Sequence, residues 1–329
     1  MTPTPSVSVS VSSLVPIGRS GLRVPSLGAG VWSWGDARYW GFGTRHGARD
    51  VVDAYAAFAE GGVQLFDSAE TYGHGDTEKA LGWLARRGGY PRVIATKFAP
   101  LRGRGGPAMA IPALRGSLRR LGLPQVDLYQ VHWADFEEAP IPELMAVLAD
   151  AVAMGLATAI GVSNFTAAEM RLAHESLARK GVSLASNQVH YSLLHRAPEA
   201  DGVLDACREL DVALLAYSPL EQGILTGSSY APGRPPPGPR AMAPAFSNDA
   251  LAAARPVLET LGEIGRSYGD RPPEQVALNW LRAKPGVIPL AGARNGEQAA
   301  RNAGALGWSL SAEDAARLDD ATARWVTDV

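Results

Sequence analysis

Short apolar runs that end at a polar residue recur along this chain. The runs are LGAGVW (27–32), VQLFD (63–67), VIATK (93–97), VDLYQVH (126–132), ATAIGVSN (157–164), LASNQ (184–188), VALLAYS (212–218) and GVIPLAG (286–292). Their length and nearly continuous apolar character are typical of strands that are covered on both faces. The pattern therefore predicts eight buried strands.

Segments with helical periodicity separate these runs, because apolar residues recur there at spacings of three and four. Clear examples are 48–62, 77–87, 141–155 and 167–181. Two predicted helix starts carry capping pairs, Thr166 with Glu169 and Ser311 with Asp314. Strand and helix alternating eight times predict the α/β fold class, as a (β/α)8 barrel.

An open, doubly wound parallel sheet is the competing architecture. Such sheets usually have fewer strands, and a nucleotide-binding version carries G-x-G-x-x-G after its first strand. Gly28 and Gly30 match the first two glycines of this motif, but its last glycine is missing. We therefore favour the closed barrel.

The ends of the chain predict additions to the barrel. Residues 1–13 alternate small polar and apolar residues without turn signals, and we expect a disordered tail there. Residues 14–329 would form one barrel domain, opened by a hairpin around 18–21 and closed by an outer helix at about 311–324. The Pro- and Gly-rich segment 226–248 predicts an irregular flap on the face after the seventh strand.

Composition narrows the function classes. Hydrophobic residues make up 46% and charged residues 19% of the 329 residues, with a formal net charge of −2. This balance, without a basic stripe, gives no attraction to nucleic acid or to an anionic membrane. Cys207 is the single cysteine, which excludes an intrachain disulfide and a cysteine-based zinc site. Its helical setting favours an inert buried thiol over a reactive one.

Targeting signals are weak. No apolar run approaches the ~18 residues that a membrane span needs. The first basic residue is Arg19, which argues against a secretory or transit peptide. We expect a cytoplasmic protein.

Candidate catalytic residues stand where the predicted strands end. Asp67, Lys97 and His132 end the second, third and fourth runs, and Tyr72 follows in the loop after the second. Side chains at the carboxyl ends of barrel strands meet at one mouth. A lysine beside a phenol lowers its pKa from about 10, and an aspartate can hold that lysine by charge pairing. The tyrosine can then act as a general acid while the histidine orients a carbonyl oxygen.

Each of these residues has an ordinary alternative. Asp67 could cap a turn, Lys97 could form a salt bridge at the rim, and Tyr72 or His132 could simply pack. Their coincidence at three consecutive strand ends favours a catalytic set. The remaining histidines lack H-x-H and H-E-x-x-H spacing, so we predict no metal site.

The chain resembles the aldo-keto reductase family from about Leu14 to its last helix. The segments that carry the resemblance are IGRSGLRVPSLGAGVWSWGD (17–36), FDSAETYGHGDTEKALG (66–82), VIATKF (93–98), VDLYQVHW (126–133), IGVSNF (160–165), SNQVHYSLL (186–194), AYSPLEQGILTG (216–227) and GARNGEQAARNAGALGW (292–308). WSWGD and GALGW are similar to the branch with cyanobacterial, plastid and actinobacterial members, which includes pyridoxal-reductase-like enzymes.

The resemblance implies NADPH-dependent reduction of a carbonyl by a tetrad of Asp67, Tyr72, Lys97 and His132. It also implies a set of NADPH contacts along the barrel mouth. These are Ser163, Asn164 and Gln188 at the nicotinamide amide, Tyr217 stacked on its ring, Ser218, Leu220 and Gly223 at the pyrophosphate, Gly292, Arg294, Gln298 and Asn302 at the adenosine end, and Arg240 on a flap that closes over the cofactor.

Two positions depart from the family pattern. Many members have an arginine at the position of Gln298, where it binds the 2′-phosphate, so Arg294 would do most of that work here. Arg301 stands at the position we align with a glutamate that contacts adenine. The helix start near 292–295 still suits a phosphate. NADPH is favoured, and NADH or dual use stays open.

Aromatic residues predict the substrate pocket. Trp32, Trp34 and Trp133, with Tyr39 or Trp40, would form an apolar slot for an aromatic or medium-sized aldehyde or ketone. The partner is thus a small carbonyl compound. Two other functions are weighed: an NADPH-binding regulatory or redox-sensing subunit with little turnover, and a barrel lyase or isomerase without nicotinamide. The physiological substrate, the reaction direction and the oligomeric state stay open.

Overall fold

The protein forms a closed barrel of eight parallel strands in a computed structural model. The structure describes residues 14–134, 139–227, 230, 231 and 233–326. The predicted tail at 1–13 lies outside the described residues. A hairpin of β1 (Leu14–Pro16) and β2 (Arg23–Pro25) precedes the barrel.

The barrel strands follow the predicted order of the chain. They are β3 (Gly28–Gly30), β4 (Leu65–Asp67), β5 (Val93–Phe98), β6 (Val126–Val131), β7 (Ala157–Ser163), β8 (Leu184–His190), β9 (Ala213–Tyr217) and β10 (Val287–Gly292). The pairing of Leu290 on β10 with Gly28 on β3 closes the cylinder. The predicted (β/α)8 barrel is confirmed.

Helices surround the strands. They are α1 (Ala48–Glu60), α2 (Asp76–Arg87), α3 (Ala110–Leu121), α4 (Ile141–Ala153), α5 (Ala167–Ala178), α6 (Ala197–Ala200), α7 (Val203–Leu210), α8 (Asn248–Ser267), α9 (Pro273–Arg282), α10 (Gly296–Ala303) and α11 (Ala312–Ala321). The predicted capping residues are in place, since Thr166 and Ser311 accept hydrogen bonds from the backbone of Glu169 and Asp314.

The hairpin seals the end of the barrel opposite the candidate site. Ile17 and Val24 are fully buried and pack with strand residues such as Leu65, Leu128 and Leu215. These strand side chains point into the cylinder and fill it, as in other barrels of this size. The interior is therefore a packed core, and among the described residues the opposite mouth carries the cavity that a ligand can enter.

The segment after β9 is more ordered than its composition predicted. Among its described residues, Pro239–Met242 and Pro244–Phe246 form short 3₁₀ turns. Proline at the start of each turn fixes φ near the helical value, which favours such a turn. Phe246 is buried against Ile224 and Leu251. The prediction of wholly irregular structure is wrong for these turns.

Two smaller expectations can be compared with the described residues. Within them, no helix is long and apolar enough to cross a membrane. Cys207 on α7 is buried, and this burial raises the pKa of its thiol to about 12. The thiol therefore stays protonated near neutral pH, as expected of an inert core cysteine.

Candidate active site

A cavity of about 850 Å³ opens at the carboxyl ends of the strands. It extends from aromatic residues after β3, past the ends of β4, β6 and β7, to the β10–α10 junction. Nearly every side chain proposed for catalysis or binding lines this cavity. They are Trp32, Asp67, Tyr72, His132, Trp133, Ser163, Asn164, Gln188, Tyr217, Ser218, Leu220, Gly223, Arg240, Gly292, Arg294, Gln298 and Asn302.

Lys97 and Asp67 form a buried ion pair beneath the cavity. Lys97 is 0% and Asp67 2% exposed, and the Lys97 Nζ donates to Asp67 Oδ2 and, over 2.9 Å, to the Ser68 carbonyl. Burial is the largest single influence and would lower the pKa of Lys97, but the charges of Asp67 and Tyr72 and the hydrogen bonds to both together outweigh it, so the pKa is raised. Lys97 is therefore a firmly held cation.

Two amides complete the surroundings of Asp67. Gln130 and Gln188 donate to Asp67 Oδ1 over 2.8 and 3.0 Å, and Gln188 also donates to Gln130 over 3.3 Å. Both oxygens of the carboxylate therefore have donors, which fixes its orientation. Gln188 binds Asp67 in this structure, a contact beyond its predicted role at the nicotinamide.

Tyr72 lies within reach of the lysine. The Lys97 Nζ donates to the Tyr72 hydroxyl over 3.5 Å and lies 5.0 Å from the ring centroid. Tyr72 is held on a tight turn in which Gly73 has a φ of 55°, and a Cβ there would collide with the Gly35 carbonyl. The turn thus requires glycine directly after the tyrosine.

The pKa of Tyr72 is shifted in the direction opposite to the expected one. Burial raises the pKa of Tyr72 above 10.0, and the opposing charge of Lys97 does not outweigh it. The expected lowering toward neutrality is therefore wrong for the protein without a ligand. A neutral phenol still carries the proton that a general acid must give.

His132 lies beside the phenol. Its backbone N–H donates to the Phe98 carbonyl over 2.8 Å, which fixes the residue at the end of β6. The two rings meet edge to face with centroids 5.6 Å apart. Burial, with a smaller contribution from Lys97, lowers the pKa of His132 to about 3. The ring is thus a neutral hydrogen-bonding group at physiological pH.

A polar chain runs across the ends of β7, β8 and β9. Ser163 Oγ donates to the Gln188 carbonyl over 2.8 Å, and Tyr217 donates to Asn164 Oδ1 over 3.0 Å. Asn164 Nδ2 donates to the His132 carbonyl over 3.0 Å. Tyr217 also stacks on His190, with centroids 5.3 Å apart. These contacts hold a planar ring and amide groups at one wall of the cavity.

Beyond Tyr217 the backbone turns sharply. Ser218 has a φ of 51° and Gly223 a φ of 105°, and a Cβ at Gly223 would lie 3.3 Å from the Tyr230 ring. Leu220 lies between them at the start of this turn. The close approach of Tyr230 favours glycine at 223.

Arg240 covers this turn from the described part of the flap. It is 2% exposed, donates to the Gln222 carbonyl over 3.1 Å, and lies 4.8 Å over the Trp40 ring. Its Nε has no hydrogen-bond partner among the described residues. Arg240, in the described part of the flap, thus packs against an aromatic residue that follows β3.

The β10–α10 junction forms the far end of the cavity. Gln298 Oε1 accepts from the Arg294 backbone N–H over 3.0 Å, and Asn302 donates to the Gly292 carbonyl over 3.0 Å. Burial, and then the nearby Arg240, lower the pKa of Arg294. No ion pair joins Arg294 to a carboxylate of the described chain.

The aromatic residues divide into two groups. Trp32 stacks between Tyr39 and Tyr72, with centroids 4.9 and 5.5 Å away, and lines the cavity. Trp133 lines it next to His132, 4.6 Å away. Trp34 instead is fully buried and donates to the Ala293 carbonyl over 2.9 Å. Its prediction as a pocket residue is corrected, because the turn at 32–34 points the two tryptophans in different directions.

Several cavity residues were not predicted from the sequence. Gln130 does not line the cavity but lies beneath it, where it donates to Asp67. It was detectable, because it precedes His132 by two positions and alternate strand residues share a face. The unpredicted residues in the cavity lining include Asp36, Thr71, His190, Gln222, Tyr230 and Glu274. His190 ends β8, two residues beyond the predicted run at 184–188, and the others stand on loops and a helix, where the strand-end pattern gives no signal. Across the described residues, no group of three or more His, Cys, Asp or Glu could hold a metal ion.

The fold and its mouth are those of (β/α)8 barrel enzymes. The model of the aldo/keto reductase family matches residues 26–323. Chloroplastic pyridoxal reductase from Arabidopsis thaliana is 35% identical over 91% of this chain and 83% of its own length.

Solved structures show the same relationship. The glycerol dehydrogenase from Gluconobacter oxydans superposes with a TM-score of 0.83 at 26% identity, over 97% of this chain and 98% of the other. An aldo-keto reductase from Klebsiella pneumoniae in complex with NADPH superposes with a TM-score of 0.69 at 27% identity, over 92% and 93%.

This chain belongs to the aldo/keto reductase family and is an oxidoreductase. The predictions of family and enzyme class are confirmed. Its reaction class is that of the family, carbonyl reduction. The predicted cofactor agrees with the Klebsiella complex, which contains NADPH.

Proposed function

We propose that this protein uses NADPH to reduce a small aldehyde or ketone to an alcohol, with Tyr72 as the proton donor. The observation that carries the proposal is the position of the Lys97 amine. It contacts the Asp67 carboxylate and lies 3.5 Å from the Tyr72 hydroxyl, beneath the cavity at the strand ends whose lining includes both Asp67 and Tyr72.

The cavity fits an extended, anionic cofactor with phosphate groups at two places. Arg240 and Arg294 line it without an ion pair to a described carboxylate, and the buried Nε of Arg240 is unpartnered. Cations left unneutralised beside a helix start suit phosphate groups. Amide and hydroxyl groups of Ser163, Asn164 and Gln188 suit a carboxamide. NADPH, when bound, supplies the hydride that the carbonyl carbon accepts.

The residues near Lys97 carry out the proton transfer. Tyr72, which is neutral, donates its proton to the carbonyl oxygen as negative charge develops there. Lys97, held by Asp67, stabilises the phenolate that remains. His132 is neutral and hydrogen-bonds the same oxygen, so it orients the carbonyl without competing as an acid.

Aromatic side chains suggest the substrate class. Trp32, Tyr39 and Trp133 line the cavity beside Tyr72 and His132. Flat apolar walls next to the acid favour an aromatic aldehyde, since aromatic rings stack favourably by about 1 kcal/mol beyond their buried area. The 35% identical pyridoxal reductase makes pyridoxal one candidate of this shape.

The proposal is tested by following NADPH absorbance with a panel of aldehydes and ketones that includes pyridoxal. We expect NADPH oxidation that depends on the carbonyl compound, fastest with aromatic aldehydes. Tight NADPH binding without oxidation would support a regulatory or redox-sensing subunit instead. No thermal stabilisation by NADPH would contradict both, because a ligand at 100 times its Kd adds about 2.7 kcal/mol to the folding free energy.

A further inference from the structure

A nearly buried carboxylate lies behind one wall of the cavity, outside the predicted set of contacts. Glu221 belongs to the turn after β9, is 7% exposed and does not itself line the cavity. Its φ is 46°, a left-handed conformation that glycine or asparagine adopts more readily than glutamate does. A glutamate kept on a strained backbone next to a binding cavity points to a role for its side chain.

Two side chains, one at the end of β8 and one just after it, hold this carboxylate. Ser192 Oγ donates to Glu221 Oε1 over 2.6 Å, and the ring nitrogen Nε2 of His190 lies 2.6 Å from the same oxygen. No lysine or arginine of the described chain forms an ion pair with Glu221. When His190 is neutral, the group as a whole therefore carries one uncompensated negative charge.

A stack of rings connects this charge with the cavity wall. The His190 ring lies nearly parallel to Tyr217, with centroids 5.3 Å apart, and nearly parallel to His195, 3.9 Å away. Burial is the main cause that raises the pKa of Tyr217 to about 12, and the charges of Tyr72 and Glu221 add to it. The field of Glu221 thus reaches the Tyr217 ring, which lines the cavity.

We expect the hydride-donating ring beside this wall. The carbonyl carbon has to lie close to Tyr72, the acid that protonates its oxygen, and the ring that gives the hydride must contact that carbon. Tyr217 is linked to this place, because it donates to Asn164 and Asn164 donates to the His132 carbonyl, each over 3.0 Å. Tyr217 therefore offers a flat face at the strand ends on which the nicotinamide can stack.

Loss of a hydride changes the charge of the nicotinamide ring. The hydride takes two electrons to the carbonyl carbon, Tyr72 gives its proton to the carbonyl oxygen, and the neutral dihydronicotinamide becomes a cation. We propose that the Glu221 carboxylate stabilises this positive charge across the Tyr217 ring, so that it raises the affinity for NADP⁺ relative to NADPH and promotes hydride transfer. A charge that is already in place needs no reorganisation during the reaction. This inference rests on the proposed function, since it assumes that the cofactor occupies the cavity.

The test measures the dissociation constants of NADP⁺ and NADPH by ligand-induced fluorescence change in wild type and Glu221→Gln. It is run at about pH 8.5, where histidines are mostly uncharged. Glutamine keeps the shape, and its oxygen can still accept from Ser192. Without the charge, NADP⁺ should bind more weakly, and the ratio of the NADP⁺ constant to the NADPH constant should rise about fivefold or more.

Matched variants separate the charge from other effects. Ser192→Ala removes a hydrogen bond to Glu221 but leaves its charge, so the ratio should stay within about twofold of wild type even where both constants rise. Glu259→Gln removes an exposed carboxylate on α8 outside the cavity lining and should leave both constants unchanged.

A second pair of variants keeps the test decisive if Glu221→Gln does not fold. Glu221→Asp and Glu221→Asn shorten the side chain equally, tolerate the left-handed backbone and differ in charge. The asparagine variant should show the higher ratio of the NADP⁺ constant to the NADPH constant. Equal ratios in these two variants would contradict a role of the charge.

The outcomes separate this inference from the function beneath it. An unchanged ratio in Glu221→Gln, with both dinucleotides still bound, would overturn the role of Glu221 alone. An equal change in Ser192→Ala would overturn it as well, because the effect would then come from the position of the turn. Failure of wild type to bind either dinucleotide would refute the proposed function itself, and the inference with it.

Discussion

The two ends of the cavity differ in whether their charged groups have partners within the protein. At the strand ends, Lys97 is paired with Asp67, and Gln130 and Gln188 supply donors to the second carboxylate oxygen. At the nucleotide end, neither Arg240 nor Arg294 forms an ion pair with a described carboxylate, and Glu274 Oε2 has no partner among those residues.

This contrast indicates which groups serve the reaction and which serve the binding of the cofactor. Groups that stabilise developing charge act best when they are already oriented, since no reorganisation is then needed during the reaction. Groups that bind a charged cofactor gain most when the ligand supplies their missing partners. We therefore expect substitutions at the strand ends to change turnover and folding, and substitutions at the nucleotide end to change affinity.

The largest effect should follow Lys97→Met. Removing one member of a buried pair leaves the Asp67 charge uncompensated, so the free energy of unfolding should fall by about 3–5 kcal/mol. Turnover should fall by about 10²- to 10⁴-fold, because the phenolate of Tyr72 loses its cation. Urea unfolding and NADPH oxidation measure the two effects.

A double variant separates these two effects of Lys97. Asp67→Asn combined with Lys97→Met removes both charges, and replacing a whole buried pair is often neutral for stability. We expect the unfolding free energy to recover while turnover stays low. Recovery of turnover would show that the lysine acts only through stability.

A smaller effect should follow Arg294→Ala at the nucleotide end. If Arg294 contacts the 2′-phosphate, NADPH affinity should fall about tenfold or more, since charge-assisted hydrogen bonds contribute about 1.5–3 kcal/mol. NADH affinity should change little. Unfolding without ligand should be nearly unaffected, because burial, and then the nearby Arg240, disfavour the charge of Arg294, as its lowered pKa shows.

The control for Arg294→Ala is Arg255→Ala, an exposed arginine on α8 outside the cavity lining. It should leave both affinities unchanged. Equal losses for NADPH and NADH in Arg294→Ala would contradict a role at the 2′-phosphate.

Much of the strand-end region could be predicted from the sequence. Strand ends in a closed barrel converge whatever the intervening loops do, so the positions of Asp67, Lys97 and His132 followed from the pattern of apolar runs. Gln130 obeys the same rule, since it shares its strand face with His132. The pattern that marks a strand end lies within a few neighbouring residues, so the sequence alone was sufficient to predict these positions.

The remaining features depend on contacts between distant segments. Trp34 became a core residue because the short turn after β3 directs it toward Tyr55 and Phe66. Glu274 pairs with Arg301 across 27 positions and two helices, which no local pattern encodes. The pKa direction of Tyr72 depended on how burial and Lys97 compare, and only the folded structure gives the burial.

The central claim is that Tyr72 donates the proton, and Tyr72→Phe tests it most directly. Single-turnover NADPH oxidation with a reactive aromatic aldehyde should slow by about 10²-fold or more, while the NADPH dissociation constant stays within a few-fold of wild type. Tyr90→Phe, which removes a phenol bonded to Glu60 outside the cavity lining, should leave both values unchanged. Wild-type rates in Tyr72→Phe would contradict the account.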